Sequence, residues 1–162
     1  TAAHVEHGLG PAVDAVLDAG PCEVGLESTI LAPSEGGTRL LREGGIPREA
    51  IEAITGRLIE DVTPGRVEAP GQLERHYAPR VPLVVGGVPN PEEVQIGFGG
   101  GGDLTLSQTG DVVEAAARLF AVLPEADALA QSRGAVRIRV ADIPESGIGR
   151  AINDRLRRAA KS

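Results

Sequence analysis

Between Arg57 and Arg80 this chain carries Pro64, Gly65, Pro70, Gly71 and Pro79 with little hydrophobic periodicity. Proline lacks a backbone donor and glycine favours no single conformation, so neither a helix nor a central strand runs through such a stretch. The 162 residues therefore divide into residues 1–56, a linker over 57–80, and residues 81–162. We read the first part as the tail of one domain and the last as a complete second one. A linker of this length lies on a surface or enters a site. Aromatic residues make up only 2% of the chain, so any core is built from Ala, Val, Leu and Ile.

In the first part, Val13 to Asp18 is short and apolar and stops at Ala19-Gly20-Pro21; it suits a strand or a helical turn equally. Val24 to Leu31 and Thr38 to Leu41 read as two strands of a hairpin around Pro33-Ser34-Glu35-Gly36-Gly37. Pro47 then sits where a first helical turn tolerates it, and Ile51 and Ile54 give that helix an apolar edge up to Gly56. In the last part, Val81 to Val85, Val94 to Phe98 and Asp103 to Leu106 predict strands. Asp111 with Glu114 forms a capping-box pattern. Val112, Ala116, Leu119, Phe120 and Leu123 follow at helical spacing, and Pro124 is expected to end the run. Val136, Ile138 and Val140 alternate with Arg137 and Arg139 as a half-buried strand does. A last helix carries Ile148, Ala151, Ile152, Leu156 and Ala159 on one face. Strands alternating with helices predict a small α/β domain with a mostly parallel sheet.

The net charge of −7 argues against a general nucleic-acid binder, which needs a basic footprint to displace counterions. Cys22 is the single cysteine, so no internal disulfide forms and a reducing cytoplasm is the expected compartment. No apolar run approaches the roughly 20 residues of a membrane helix, and no signal peptide is evident.

Three stretches concentrate chemistry beside glycine or proline: Gly25-Leu26-Glu27-Ser28-Thr29-Ile30, Leu41-Arg42-Glu43-Gly44-Gly45-Ile46, and Pro70-Gly71 followed by Arg75-His76-Tyr77-Ala78-Pro79. With Gly147-Ile148-Gly149-Arg150-Ala151-Ile152-Asn153-Asp154-Arg155-Leu156, these resemble the two-domain threonylcarbamoyl-AMP synthases. That resemblance implies the C-terminal portion of a YrdC-like α/β domain (1–56), a Pro/Gly linker reaching toward the active site (57–80), and a small Rossmann-like domain (81–162). It covers nearly the whole chain. The front of the catalytic domain, with its phosphate-gripping Lys/Arg cluster, is expected upstream of Thr1.

Read as residues alone, Ser28 is a strand serine pointing opposite to Glu27 and Thr29, Arg42 a solvated or ion-paired side chain, and Tyr77 a packed linker aromatic. The resemblance implies more: Ser28 contacts threonine, Arg42 reaches ATP phosphate, and Tyr77 approaches the nucleotide as the linker folds over the cleft. A hydroxyl suits a carboxylate or carbamate, and a guanidinium fork suits phosphate oxygens. Glu43 stands where the family pattern has proline, placing a carboxylate beside that anion site. No residue here is assigned as a catalytic nucleophile or base.

Four features are set aside. His4-Val5-Glu6-His7 lacks a second ligand cluster, so no metal site is expected. Gly97-Phe98-Gly99-Gly100-Gly101-Gly102 leads into a strand rather than a helix and reads as a flexible turn, not a phosphate loop. Cys22 reads as a packed thiol. Arg150, Arg155, Arg157 and Arg158 read as the solvated face of the last helix.

The implied reaction joins L-threonine, bicarbonate and ATP, the last carrying Mg²⁺, into threonylcarbamoyl-AMP and pyrophosphate. The product feeds tRNA threonylcarbamoyl transfer, with no direct stable nucleic-acid contact and no membrane. The enzyme implied is a nucleotidyltransferase, and this chain alone is expected to be inactive. The alternative is a non-catalytic nucleotide- or protein-binding regulatory module.

Overall fold

A computed structural model describes residues 1–35, 37–57, 59–61, 68–70 and 78–161, giving backbone but not side-chain positions for Glu60 and Asp61. The first part opens with helix α1 (Ala2–Leu9), a short 3-10 turn (Gly10–Ala12), and an extended run without regular structure up to Thr29. Strand β1 (Ile30–Ser34) pairs antiparallel with β2 (Gly37–Arg42), so the expected hairpin forms. Its first strand starts at Ile30 rather than Val24. Pro33 and Ser34 belong to the strand, which puts the reversal at the residues that follow. Helix α2 (Arg48–Thr55) begins after Pro47 and stops at Gly56, whose left-handed φ of 64° is open to glycine at no steric cost. The three residues of β3 (Ile59–Asp61) then pair parallel with β2.

Strands β4 (Leu83–Val85), β5 (Val94–Phe98), β6 (Leu104–Ser107) and β7 (Ile138–Val140) form one all-parallel sheet in the order β4-β7-β5-β6. The periodicity of two shows directly: Val94, Ile96, Leu106, Ile138 and Val140 are sealed against the helices α3 (Val112–Arg133) and α4 (Gly149–Ala159), whereas Gln95 and Arg139 face away. Ala115, Ala116, Leu119, Val122, Leu123, Ala126 and Ala130 supply the buried stripe of α3. The stripe continues past Pro124, and so does the helix, contrary to the expected stop there. Burial on both sides of the proline outweighs the roughly 3 kcal/mol its missing donor and ring clash cost. All the residues of the main hydrophobic cluster lie between Leu83 and Ala159. By contrast α1 and α2 bury no residue, and Ile54 is 87% exposed.

Capping at α3 is half of what the pattern predicts. The Asp111 carboxylate accepts from the Val113 and Glu114 amides at 2.7 and 3.0 Å, as an N-cap should. The reciprocal arm differs: the Asp111 amide donates to Ser107 Oγ at 2.9 Å, and Glu114 accepts from that same hydroxyl at 2.6 Å. The cap is thereby tied to the end of β6.

Strands β5 and β6 are adjacent and parallel, yet only residues 99–103 join them, where a crossover normally needs a dozen or more. Gly99 to Gly102 all take φ near +80 to +92° and fold the chain back over Gly97, where a Cβ would lie 2.2 Å from the Gly101 carbonyl oxygen. The glycine run thus leads into a strand, as its sequence context indicates. No described helix is long and apolar enough to cross a membrane.

On the sheet face turned from the helices, Arg139 donates to Glu93 through Nε (2.6 Å) and Nη2 (2.9 Å), and Arg137 adds a contact at 3.2 Å. The hydrogen bonds from Arg139 hold the Glu93 carboxyl below its ordinary value of 4.5, against the opposing effect of burial. A carboxyl with a lowered native pKa stabilises the fold above its unfolded value and loses that contribution as pH falls through its native value. Glu93→Gln is therefore expected to destabilise the chain at pH 7 and progressively less below pH 4.5, read from urea melts of both proteins. A difference that does not change with pH would remove the carboxylate from this role.

Candidate functional site

Residues 25–29 have no ladder of their own, so their backbone is placed by what surrounds it. Ser28 is exposed, and it does not sit in a strand as the sequence suggested. Its neighbours nonetheless point elsewhere. The Thr29 hydroxyl donates to the Ile46 carbonyl at 2.6 Å and accepts from the Ile46 amide at 3.2 Å. Glu27 turns to Arg155 on α4. Ser28 alone in this row offers its hydroxyl to the surface.

Arg42, at the end of β2, meets Ser28 directly. Its Nε and Nη2 donate to the Ser28 carbonyl at 3.1 and 2.9 Å, Nη2 lies 3.3 Å from Ser28 Oγ, and Nη1 donates to the Pro70 carbonyl at 3.2 Å. One guanidinium thus joins the serine segment, the hairpin and Pro70 within the expected linker. The fork edge that could grip a phosphate bidentately is occupied by the Ser28 carbonyl. Behind it, Gly44 packs so closely on residues 27–29 that a Cβ would sit 2.3 Å from the Thr29 nitrogen, and the Gly45 amide donates to the Glu27 carbonyl at 2.9 Å.

Glu43, standing where the resemblance expects proline, turns to two arginines. Its carboxylate takes Arg48 at 3.1 Å and Arg150 at 3.9 Å, so its charge is answered by two cations. Tyr77 lies outside the described residues, as do Arg75 and His76.

Two expectations are corrected. Cys22 is exposed rather than packed, because the run around it has no core to enter. Arg155 is not solvated: it is 2% exposed and bound to Glu27 and Asp154. The signal was present in the spacing, since Arg155 falls three residues after Ile152 and four after Ala151, inside the apolar stripe of α4. Arg150 pairs with Glu49, Arg157 with Glu145 and Arg158 with Asp154, so each cation of this helix has an acidic partner. Pro70 stands in one of the three stretches singled out above, but its carbonyl as a partner of Arg42 was missed, since backbone acceptors leave no side-chain signal.

A second concavity of about 360 Å³ lies at the carboxyl ends of β4, β5 and β7, the usual ligand position on open α/β sheets. Among the described residues Arg139 is the one cation lining it, and Glu93 and the Gly86 carbonyl hold that side chain.

Gly44→Ala is expected to destabilise the chain by about 1–3 kcal/mol, the usual cost of forcing a carbon into packed backbone. Gly8→Ala, with open space at its Cβ, is expected to be neutral or slightly stabilising. Denaturant melts of both variants check this, and equal stabilities would mean the Gly44 contact is loose.

The family described as threonylcarbamoyl-AMP synthase, C-terminal domain, matches residues 46–161. A threonylcarbamoyl-AMP synthase of Pyrococcus abyssi is 31% identical over 185 aligned positions, covering 99% of this chain and 53% of that protein. One from Bacillus subtilis is 33% identical over 186 positions, covering 98% and 52%. The crystal structure of P. abyssi Sua5 complexed with L-threonine superposes with a TM-score of 0.78 at 28% identity, over 98% of this chain and 53% of that one. A variant of P. abyssi Sua5, with a histidine and the tyrosine after it both changed to alanine, gives 0.65 at 25% identity, over 98% and 50%. The chain spans about half the length of the curated relatives it matches. With two thirds of its residues inside the family match and a fold shared along nearly its whole length, the chain belongs to the threonylcarbamoyl-AMP synthase C-terminal domain family.

Proposed function

We propose that this chain supplies part of the active site of a threonylcarbamoyl-AMP synthase acting in the cytoplasm. Residues 1–56 complete the YrdC-like catalytic domain, 57–80 form the linker and 81–162 the Rossmann-like domain. In the reaction, the threonine amine takes up bicarbonate with loss of water. A carbamate oxygen then attacks the α-phosphorus of ATP and expels pyrophosphate. The product serves N6-threonylcarbamoyladenosine formation on tRNA. The observation that carries this reading is the convergence of Ser28 and Pro70 on the Arg42 guanidinium.

Each residue then has a physical task. The exposed Ser28 hydroxyl binds the carboxylate or carbamate of threonine, a reading supported by the threonine complex of P. abyssi Sua5. Arg42 shapes the threonine site through the Ser28 carbonyl and presents its remaining charge to the triphosphate. Tyr77 closes over the nucleotide from the linker; the paired histidine and tyrosine replaced in the P. abyssi variant are of the same kind as His76-Tyr77. Carbamates are labile, so a lid that limits water has a clear purpose. Mg²⁺ enters with ATP, and among the described residues no group of three or more His, Cys, Asp or Glu is placed to hold a metal. Positioning and charge stabilisation carry the catalysis.

The chain alone is expected to release no pyrophosphate. Adding the N-terminal half found in its relatives restores release that depends on both threonine and bicarbonate. In that assembled enzyme Ser28→Ala weakens threonine binding by about 1.5–3 kcal/mol, the cost of a lost hydrogen bond to a charged group, and leaves ATP binding nearly unchanged. Calorimetric titration with threonine and a non-hydrolysable ATP analogue measures both; equal losses, or none, overturn the reading.

Arg42→Lys keeps the charge but cannot span the Ser28 and Pro70 carbonyls together. Both threonine and ATP affinities are expected to fall, threonine at least as much. Wild-type affinity for both ligands in this variant would make Arg42 a surface residue.

A further inference from the structure

We infer that α4 of the second domain positions the serine segment of the first, with Arg155 as the positioning residue. This deepens the proposed function, since it rests on Ser28 meeting threonine. Three consecutive residues before Ser28 are anchored to the second domain. Gly25 lies flat on α3, where a Cβ would fall 2.4 Å from the Ala117 Cα. Leu26 packs on the edge of the main hydrophobic cluster. Glu27 Oε2 accepts from Arg155 Nε at 3.1 Å and Nη2 at 2.8 Å, across 128 residues of sequence.

The other side of the segment is held from within the first domain, by Thr29 on Ile46 and by the Gly45 amide on the Glu27 carbonyl. Ser28 is the exposed residue between these two sets of anchors. Arg42 holds the Ser28 carbonyl as well, and the Glu27 pair adds the one charged anchor that comes from α4. The Arg155 end is built to hold: Nη1 donates to Asp154 at 2.8 Å, and Asp154 is itself gripped by Arg158 at 2.9 Å. A cation 2% exposed cannot be solvated by water, so its guanidinium depends on these carboxylates, and Glu27 is the one outside its own helix. A pair serving only to join two domains could sit anywhere on their boundary. This one ends on the residue next to the proposed substrate contact.

Arg155→Lys keeps the charge and loses the fork; Glu27→Gln keeps the shape and loses the charge. In this chain, either is expected to speed amide exchange of residues 25–30 at least roughly tenfold while β5 and α3 stay protected. In the enzyme assembled from this chain and the other half of its relatives, the threonine KM is expected to rise roughly tenfold, with the ATP KM within about twofold, since small misplacements at a reacting group are costly. Ser28→Ala runs beside them as a reference. Unchanged exchange over 25–30 in both variants overturns the inference. So does a threonine KM raised by Ser28→Ala but by neither of the others. If exchange rises and no variant, Ser28→Ala included, alters the threonine KM, the anchoring stands and the proposed function falls instead.

Discussion

Backbone polar groups without a ladder must find partners elsewhere, and the stretch that carries Ser28 is the clearest instance in this fold. Its carbonyls are taken by the Arg42 guanidinium and the Gly45 amide, and Gly44 leaves no room for an alternative path. Arg42 also reaches the Pro70 carbonyl, so the serine segment, the hairpin and Pro70 share one cation as their common partner. The site is therefore less a set of side chains projecting from a rigid sheet than an irregular segment made rigid by contact.

Much of the second domain was legible because its signals are local. Helical spacing in Ile148–Ala159 appears as read; the alternation expected over Val136–Val140 holds only for Ile138–Val140, since Val136 lies before the strand and is 52% exposed. Pro124 misled because its local preference is outweighed by the buried alanines on either side. Ser28 misled in the opposite way: a β-branched, apolar neighbourhood suggested a strand, but among the described residues no strand pairs with 24–29. Arg155 could have been read from its place inside an apolar stripe. Its partner could not, because an ion pair between distant positions leaves no trace in spacing.

Glu43 shows how a departure from a family pattern can be absorbed. A carboxylate beside a nucleotide site would repel phosphate at close range. Here Arg48 and Arg150 take it up, one from α2 and one from α4. The side chain thereby ties the end of β2 to both helices. Arginine dominates the basic residues of this chain, and a planar fork suits such pairs better than lysine does.

The five-residue return between β5 and β6 has a consequence for how the second domain forms. Parallel neighbours ordinarily wait for a crossover of a dozen or more residues, usually a helix, to be laid down between them. Here the pairing closes a loop of five, and the closure entropy falls by about 0.8 kcal/mol relative to a twelve-residue crossover on the logarithmic scaling of loop length. A contact that is long-range in most α/β folds is local in this one. The strand pair can thus assemble as a seed on which α3 and β7 later dock, and the sheet grows outward from its glycine-rich edge.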